Sequence, residues 1–403
     1  MASRNISVGI DIGTYQVKVL VSEDNPKDPG SPKVLGVGYA ESKGLRHGYI
    51  IHQSDAIRSI QKAVRQAEKS SGTRISKAFL SIGGIGLSSA TSNGTVMISR
   101  ADSEITNLDI EKAIKESEDQ IPSAMSVNRK IIHTIPISYK IDGKPAFGNP
   151  VGMKGVKIEV KTLFVACLEH HLTELIHAVE DAGVEIIDVM AAPLASSLVT
   201  LTKPEKIAGC VLANIGSETV SIVVYEDDLP ISLEVFPIGS NDITNDIALG
   251  LQVSLEEAEK LKKEIENQDR QPKKKLEDII TARLSDIFEL IEAHLKKIGK
   301  SGLLPAGIII TGGGSGITTM TDLAKAYLKL PTKISKLACD SRLQECVSNG
   351  SIKIKDATWA VAYGLTVFGL HSDETSILTT GSPKKFAKWI KNTTVNFFKQ
   401  FLP

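Results

Sequence analysis

A chain of 403 residues, 42% of them hydrophobic and 23% charged, has a globular composition and length enough for two domains or one bilobed one. Lys plus Arg and Asp plus Glu number 47 each, so no whole-chain field draws it to nucleic acid or an anionic surface, and electrostatic targeting must come from local clusters. Cys167, Cys210, Cys339 and Cys346 show no CxxC spacing, which excludes a Cys-based zinc site and a disulfide framework, and they are expected reduced and buried. No basic-then-apolar leader is expected at Met1 to Ile12, and no uncharged apolar run of about 18 residues is present to span a bilayer.

In chain order, strand-like and helical runs alternate, as an α/β architecture requires. Ser7 to Val21 reads as a hairpin, with a Gly13-Thr14 turn and alternating Val17, Val19 and Val21. Ile57, Ile60, Ala63, Val64 and Ala67 recur at helical spacing, and Phe79 to Ile82 reads as a short buried strand. From Gly83 to about Ala166 the texture is that of an α+β insertion. Its strands are expected from Thr95 to Ile98, Arg129 to Ile141 and Val156 to Ala166, around a helix from Leu108 to Ile121 begun by Asn107. A helix from Leu172 to Ala182, stopped by Gly183, and a strand from Val184 to Val189 follow. Val211 to Tyr225 repeats the strand–turn–strand pattern around Gly216-Ser217. Two such hairpins predict a duplicated fold with a site between lobes. The stretch from Asn241 to Gly299 reads as helical, with a solvated basic loop, Arg270 to Lys275, between helices Leu255 to Glu266 and Leu276 to Ile298. Ile308 to Thr311 is a strand running into glycines, Trp359 to Phe368 a last apolar helix, and His371 to Ser382 a polar linker.

Two segments have the chemistry of a phosphate site. In the first, Gly13 permits a tight turn whose backbone N–H groups face an anion, Asp11 can hold a magnesium ion through water, and Thr14 and Lys18 can donate to phosphate oxygens. A hairpin turn alone would also ask for Gly and Thr there. In the second, Gly312, Gly313, Gly314 and Gly316 remove side chains after a buried strand, where a flat ring or phosphate could approach the backbone; the alternative is a plain turn. His133, His170, His171 and His177 lack the spacing of a metal site and read as core or solvated histidines.

The order hairpin, second hairpin, strand–Gly-Gly-Gly–helix resembles the phosphate-1, phosphate-2 and adenosine motifs of the actin, heat-shock chaperone and sugar kinase superfamily. Further segments are similar to the FtsA family of bacterial division proteins: Asn149-Pro150-Val151-Gly152-Met153-Lys154-Gly155-Val156, Ile132-His133-Thr134-Ile135-Pro136, Pro193-Leu194-Ala195-Ser196-Ser197, Ile243-Thr244-Asn245-Asp246-Ile247-Ala248 and Glu256-Glu257-Ala258-Glu259-Lys260-Leu261-Lys262. The resemblance runs from about Ile6 to Leu370 and recurs in the tail. It implies an α/β, actin-like two-lobed fold with an inserted α+β subdomain IC and a C-terminal amphipathic helix. The corresponding division is subdomain IA at 1–82, 167–198 and 352–371, IC at 83–166, IIA at 199–240 and 303–351, IIB at 241–302, a linker at 372–382 and the helix at 383–403.

It also implies roles. Asp11, Gly13, Thr14 and Lys18, with Asn214, Gly216 and Thr219 of the second hairpin, would face the triphosphate and Mg2+ of ATP, with Asp11 at the metal. Gly312, Gly313 and Gly314 would line the adenosine. Glu259 and Lys262, one helical turn apart, would reach ribose and base, where an i,i+3 surface ion pair is the plainer alternative. Arg283 matches the subdomain IIB helix that meets the C-terminal peptide of FtsZ, against a plain exposed arginine. Subdomain IC would take part in filament contacts. The protein would be cytoplasmic, peripheral on the inner face of the cell membrane at the division site. Two departures bear on hydrolysis: the second hairpin reads Asn214-Ile215-Gly216-Ser217-Glu218-Thr219 where the family carries Asp and further glycines, and Ala192 stands where related ATPases carry a water-positioning Glu. An amide cannot act as a base, so weak or no ATPase activity is expected. A PilM-like scaffold and a turnover ATPase of the same superfamily are the alternatives.

The tail, Pro383 to Pro403, stands alone as an amphipathic pattern. At about 100° per residue, Phe386, Trp389, Ile390, Thr393, Phe397 and Phe401 share a face, with Lys384, Lys388, Lys391 and Lys399 opposite. No Asp or Glu interrupts it, though Val395 and Leu402 fall off the apolar face. This is the pattern of a helix lying in a lipid interface, each lysine adding on the order of 1 kcal/mol near anionic headgroups. Packing on the chain's own body or on a partner is the alternative.

Overall fold

The computed structural model describes residues 5–24, 32–264, 270–317, 319–335, 337 and 356–371. Strand β1 (Ile6–Ile12) turns back into β2 (Gln16–Glu23), and β3 (Lys33–Glu41) continues the antiparallel run. A two-residue hairpin, β4 (Leu45–Arg46) and β5 (Tyr49–Ile50), leads to helix α1 (Gln53–Ser71), which buries Ala56, Ile60, Ala63, Val64 and Ala67 on one face. Strand β6 (Lys77–Ile82) then lies parallel to β1.

The insertion follows as β7 (Ser88–Met97), α2 (Asn107–Asp119), β8 (Arg129–Ile141), β9 (Lys144–Ala146) and β10 (Lys157–Leu168), with sheet order β7-β10-β8-β9. Ile105, Ala113 and Ile114 pack with Tyr139, Ile158 and Val160 to give it a core of its own. Helix α3 (Glu169–Asp181) returns the chain to β11 (Glu185–Ala191), parallel to β6, completing a first-lobe sheet ordered β11-β6-β1-β2-β3.

Helices α4 (Ala192–Thr200) and α5 (Lys203–Ala208) cross to the second lobe. There β12 (Cys210–Ile215), β13 (Val220–Glu226) and β14 (Leu229–Phe236) run antiparallel, followed by α6 (Ser240–Leu251), α7 (Leu255–Lys263) and α8 (Arg270–Lys297). Strand β15 (Gly307–Thr311), α9 (Met320–Leu328), β16 (Thr332–Ile334) and α10 (Ala360–His371) end the described chain. The second sheet is ordered β14-β13-β12-β15-β16, with β15 parallel to β12 and β16 parallel to β15. Each strand thus has a counterpart of the same direction and position in the first sheet. The predicted duplication is present. Helix α4 crosses α10 closely: a Cβ on Gly364 would stand 1.8 Å from the Ala195 carbonyl oxygen, so only glycine permits that approach.

Three expectations need correction. Helix α2 is capped by Thr106, not Asn107, because the Thr106 hydroxyl and Asp109 carboxylate form a reciprocal capping box. Residues 270–275 are helix, not loop: polarity alone does not break a helix, and lysine is a good helix former. Strand β7 is longer than expected because its Ser- and Thr-rich half, half-exposed, carries no apolar signal, yet pairs with β10 from Ser88↔Ala166 to Met97↔Lys157.

Candidate functional site

The β1–β2 hairpin places Asp11 opposite Lys18 in the ladder, which puts their side chains on one face. Asp11 is half-buried, and its Oδ1 accepts from Ser81 Oγ on β6 at 2.8 Å. Burial pushes the Asp11 carboxyl up, opposed by the Lys18 charge and the Ser81 hydrogen bond. Burial pushes Lys18 down, opposed by Asp11, and its Nζ donates to the Thr358 carbonyl oxygen at 2.7 Å. Gly13 closes the turn through its N–H to Gln16 O at 3.2 Å, and the Ser42 hydroxyl donates to Gly13 O at 2.5 Å. Thr14 lies in that turn, half-exposed.

The second hairpin repeats the geometry. Gly216 N–H donates to Thr219 O at 2.9 Å, and Asn214 lies between Ser221 on β13 and Thr311 on β15. The first N–H groups of α6 hold this turn from behind: Ser240 N donates to Gly216 O at 2.9 Å and Asn241 N to Ser217 O at 2.7 Å. The glycine turn after β15 comes against β12, since a Cβ on Gly312 (φ 94°) would meet Asn214 Oδ1 at 2.3 Å. Gly314 also packs close, its imagined Cβ 2.6 Å from Ile215 Cγ2, whereas a Cβ on Gly313 meets nothing within 4 Å. The three glycines therefore do different work: two let backbones approach, and Gly313 faces open space.

Glu259 and Lys262 on α7 are drawn together at 2.6 Å. Lys262 Nζ also donates to Thr244 Oγ1 at 2.7 Å and Ser240 O at 3.1 Å, while the Thr244 hydroxyl donates to Glu259 Oε2 at 2.7 Å. Burial would raise the Glu259 carboxyl, but its bonds from Lys262 and Thr244 outweigh that and hold it below the ordinary range. Burial lowers Lys262, whose side chain is only 9% exposed. The lysine of this i,i+3 pair is sheltered and anchored on a second helix, while the Glu259 side chain stays 36% exposed. Ser240 and Thr244 were missed by the sequence reading, although their i,i+4 spacing on α6 was the available signal.

The residues present suit a nucleotide. The open backbone at Gly313 leaves room for a flat ring, and the ammonium groups of Lys18 and Lys262 carry the positive charge that favours phosphate. One carboxylate, Asp11, held by Ser81, also suits magnesium, which keeps most of its waters and takes few protein ligands. Ala192 places its Cβ 3.8 Å from the Cβ that Gly83 would carry and offers no base. Glu218 accepts a hydrogen bond from the first lobe, at His47 N–H, 2.5 Å away.

Arg283 is not a plain exposed arginine. It is half-buried and bonds Asp246 of α6 through Nε at 2.6 Å and Nη2 at 2.9 Å, with Asp286 3.3 Å from Nη1. The Asp246 hydrogen bond is the main cause of its raised pKa. Phe386, Trp389, Ile390, Phe397, Phe401, Lys384, Lys388 and Lys391 lie outside the described residues. Among the described residues no helix is long and apolar enough to cross a membrane.

Known proteins are similar to this chain in sequence and in fold. The chain is 30% identical to the cell division protein FtsA of Pseudomonas aeruginosa over 94% of its own length and 93% of that protein. It is 29% identical to the cell division protein FtsA of Bacillus subtilis, covering 91% of this chain and 84% of the relative. A family model described as cell division protein FtsA matches residues 211–364, and one described as the SHS2 domain inserted in FtsA matches 84–166. Among solved structures, a chain of the PilM-PilN type IV pilus biogenesis complex superposes with TM-score 0.67 at 19% identity, covering 91% of this chain and 98% of that one. MreB5 of Spiroplasma citri bound to ADP superposes with TM-score 0.51 at 13% identity, covering 96% and 99%. The structural likenesses establish an actin-like fold, and the sequence likeness along nearly the whole chain establishes that this chain belongs to the FtsA family of cell division proteins.

Proposed function

We propose that this chain binds ATP with magnesium between its lobes, assembles into actin-like filaments, and anchors FtsZ to the inner face of the cytoplasmic membrane at the division site. The observation that carries this reading is the pair of matching hairpin turns, backed by the Gly312–Gly314 turn and the Lys262–Thr244–Glu259 cluster. Asp11 would hold the metal through water. Gly13, Thr14, Lys18, Asn214, Gly216 and Thr219 would hold the phosphates, Gly312, Gly313 and Gly314 the adenosine, and Glu259 with Lys262 the ribose and base. The bound metal supplies charge neutralisation for the phosphates. Turnover is slow or absent, because Asn214 and Ala192 supply neither a base nor a carboxylate to orient water. MreB5, a neighbour in fold, is a nucleotide-bound protein.

Arg283, oriented by Asp246, would receive the FtsZ C-terminal peptide. Residues 383–403 would lie on anionic lipid, where one amphipathic helix binds reversibly and filament formation raises residence through avidity. Titrating the full chain with a fluorescent ATP analogue, with and without magnesium, tests the site. Saturable binding that Lys262→Ala weakens at least about tenfold is expected, and no binding would overturn it. Removing residues 383–403 should abolish co-sedimentation with phosphatidylglycerol vesicles while the core stays folded. Sedimentation unchanged by that deletion would sink the membrane assignment.

A further inference from the structure

Glu218 stands in the second hairpin turn where glycine would let backbone approach a phosphate, and the structure shows what its side chain does. Its Oε2 accepts from His47 N–H at 2.5 Å, and its own carbonyl oxygen lies 3.2 Å from His47 Nδ1. These two contacts join opposite lobes, because His47 sits in the β4–β5 turn and Glu218 in the β12–β13 turn. On the second-lobe side the turn is fixed to α6 by Ser240 and Asn241, so it moves with that lobe.

The first-lobe side is unusual. His47 and Gly48 both have positive φ, 49° and 87°, the mirror-image two-residue hairpin turn that favours Asn-Gly over His-Gly. Gly48 packs on Gly84, its imagined Cβ 2.5 Å from the Gly84 Cα. Tyr49 meets the His171 ring edge-on at 4.5 Å, and His171 Nε2 lies 3.2 Å from Gly83 O. The hairpin is thus wedged against residues 83–86, the root of the insertion. A non-glycine residue held at positive φ by so many neighbours points to a function for the strap.

We propose that Glu218 and the His47 hairpin form a latch between the second phosphate turn and the root of the insertion, which the terminal phosphate of a nucleoside triphosphate opens. The carboxylate and that phosphate carry like charge at one turn, so the site cannot hold both at full strength. The bond from Glu218 to His47 is the weaker constraint and yields. The strap and the insertion root it braces are then released, whereas a diphosphate leaves the latch closed. The opening step rests on the proposed nucleotide site; the latch itself does not.

Hydrogen exchange on the full chain separates the two. Without nucleotide, Glu218→Ala should speed exchange of the amides of residues 44–51 about tenfold, the loss of one hydrogen bond, with a smaller rise at 83–86. His47→Gly keeps the N–H that Glu218 Oε2 accepts from and loses only the imidazole contact, so it should speed exchange less than Glu218→Ala; an effect as large as that of Glu218→Ala would overturn the carboxylate's part in the latch. Unchanged exchange in Glu218→Ala, with the fold confirmed by melting, overturns the latch. With nucleotide, magnesium ATP should speed exchange at 44–51 in the wild type and magnesium ADP should not, while both protect 312–314. Equal effects of the two nucleotides, with 312–314 protected, overturn the opening step. Failure of either nucleotide to protect 312–314 overturns the nucleotide reading and the opening step with it, and leaves the latch to stand or fall on Glu218→Ala.

Discussion

Gly312→Ala and Gly313→Ala add the same methyl group at neighbouring positions of one turn, with opposite expectations. Gly312 has φ 94° and ψ 173°, a region that essentially only glycine occupies, and holding alanine there costs about 1–3 kcal/mol. The new Cβ would also stand 2.3 Å from Asn214 Oδ1 and 2.6 Å from Ile215 O. Relieving those overlaps means moving β12, at a further cost of about 1–3 kcal/mol. The sum is about 2–6 kcal/mol, which lowers the melting transition of a lobe of roughly 150–250 residues by about 4 °C or more. At Gly313 nothing lies within 4 Å of the new Cβ, and stability should stay within about 0.5 kcal/mol. That methyl instead enters the space proposed for adenosine, so Gly313→Ala should weaken nucleotide binding at least about tenfold, some 1.4 kcal/mol. Scanning fluorimetry without nucleotide, followed by titration with a fluorescent ATP analogue, reads both. A Gly312→Ala protein melting with the wild type, or a Gly313→Ala protein losing as much stability as Gly312→Ala, would refute the assignment of roles within the turn.

Gly364→Ala, whose Cβ would stand 1.8 Å from Ala195 O, should force α4 and α10 apart and cost about 3 kcal/mol by overpacking; an unchanged melting temperature would mean these helices do not touch. Burial holds His133 at about 3 and His171 and His294 at about 4, below the usual 6.5, so each is neutral in the fold and charges on unfolding. Their contribution is complete above pH 6.5 and lost as pH falls toward 4, each with a slope of up to about 1.4 kcal/mol per pH unit. Asp188, raised by burial to about 7, works the other way and offsets about one of them; denaturant titrations at pH 7, 5.5 and 4.5 should show falling stability, and a flat profile would contradict these burials. Asp246→Ala should weaken binding of the FtsZ C-terminal peptide as much as Arg283→Ala, because the carboxylate orients the guanidinium. It should cost under about 1 kcal/mol of stability, the pair being partly screened by solvent, and peptide affinity indifferent to Asp246→Ala would remove Arg283 from that role.

The duplicated hairpins and the glycine turn were legible because turn chemistry and alternation are local signals: Gly13 and Gly216 punctuate runs of valine and isoleucine. Strand β7 was not, since its Ser- and Thr-rich half gets its partners from β10, about seventy residues away in sequence. Charge misleads at 270–275, where the run of lysines suggests a solvated loop and the segment is helix. At the site, sequence located Asp11, Lys18, Glu259 and Lys262 but not what restrains them. Ser81, Thr244 and the Thr358 carbonyl arrive from other elements, and no spacing rule joins them. Glu218 was legible only as a misfit, because its partner His47 lies on the other lobe.

A ligand shifts the balance between open and closed lobes only by its difference in affinity for the two. Lys18 belongs to the first lobe, Lys262 and Gly313 to the second, so a nucleotide that engages all of them favours whichever arrangement brings them within reach together. In an enzyme that preference lasts until hydrolysis removes a phosphate. Here Asn214 is an amide placed against the Gly312 backbone, and Ala192 presents only a methyl group. On the proposed slow or absent turnover, chemistry gives no timer, and a nucleotide-held closed state would persist for as long as the nucleotide stays bound. Control passes from the rate of bond cleavage to the rate of exchange, which is governed by contacts that cross the cleft. With the His47–Glu218 bond yielding to the triphosphate, the tie that remains across the cleft is at the insertion, where Ser89 Oγ donates to Leu233 O at 2.8 Å and Leu233 N donates to Ser89 Oγ at 2.7 Å. Loosening those contacts, rather than restoring a base at Asn214, is therefore the change that should alter how long an assembled state lasts.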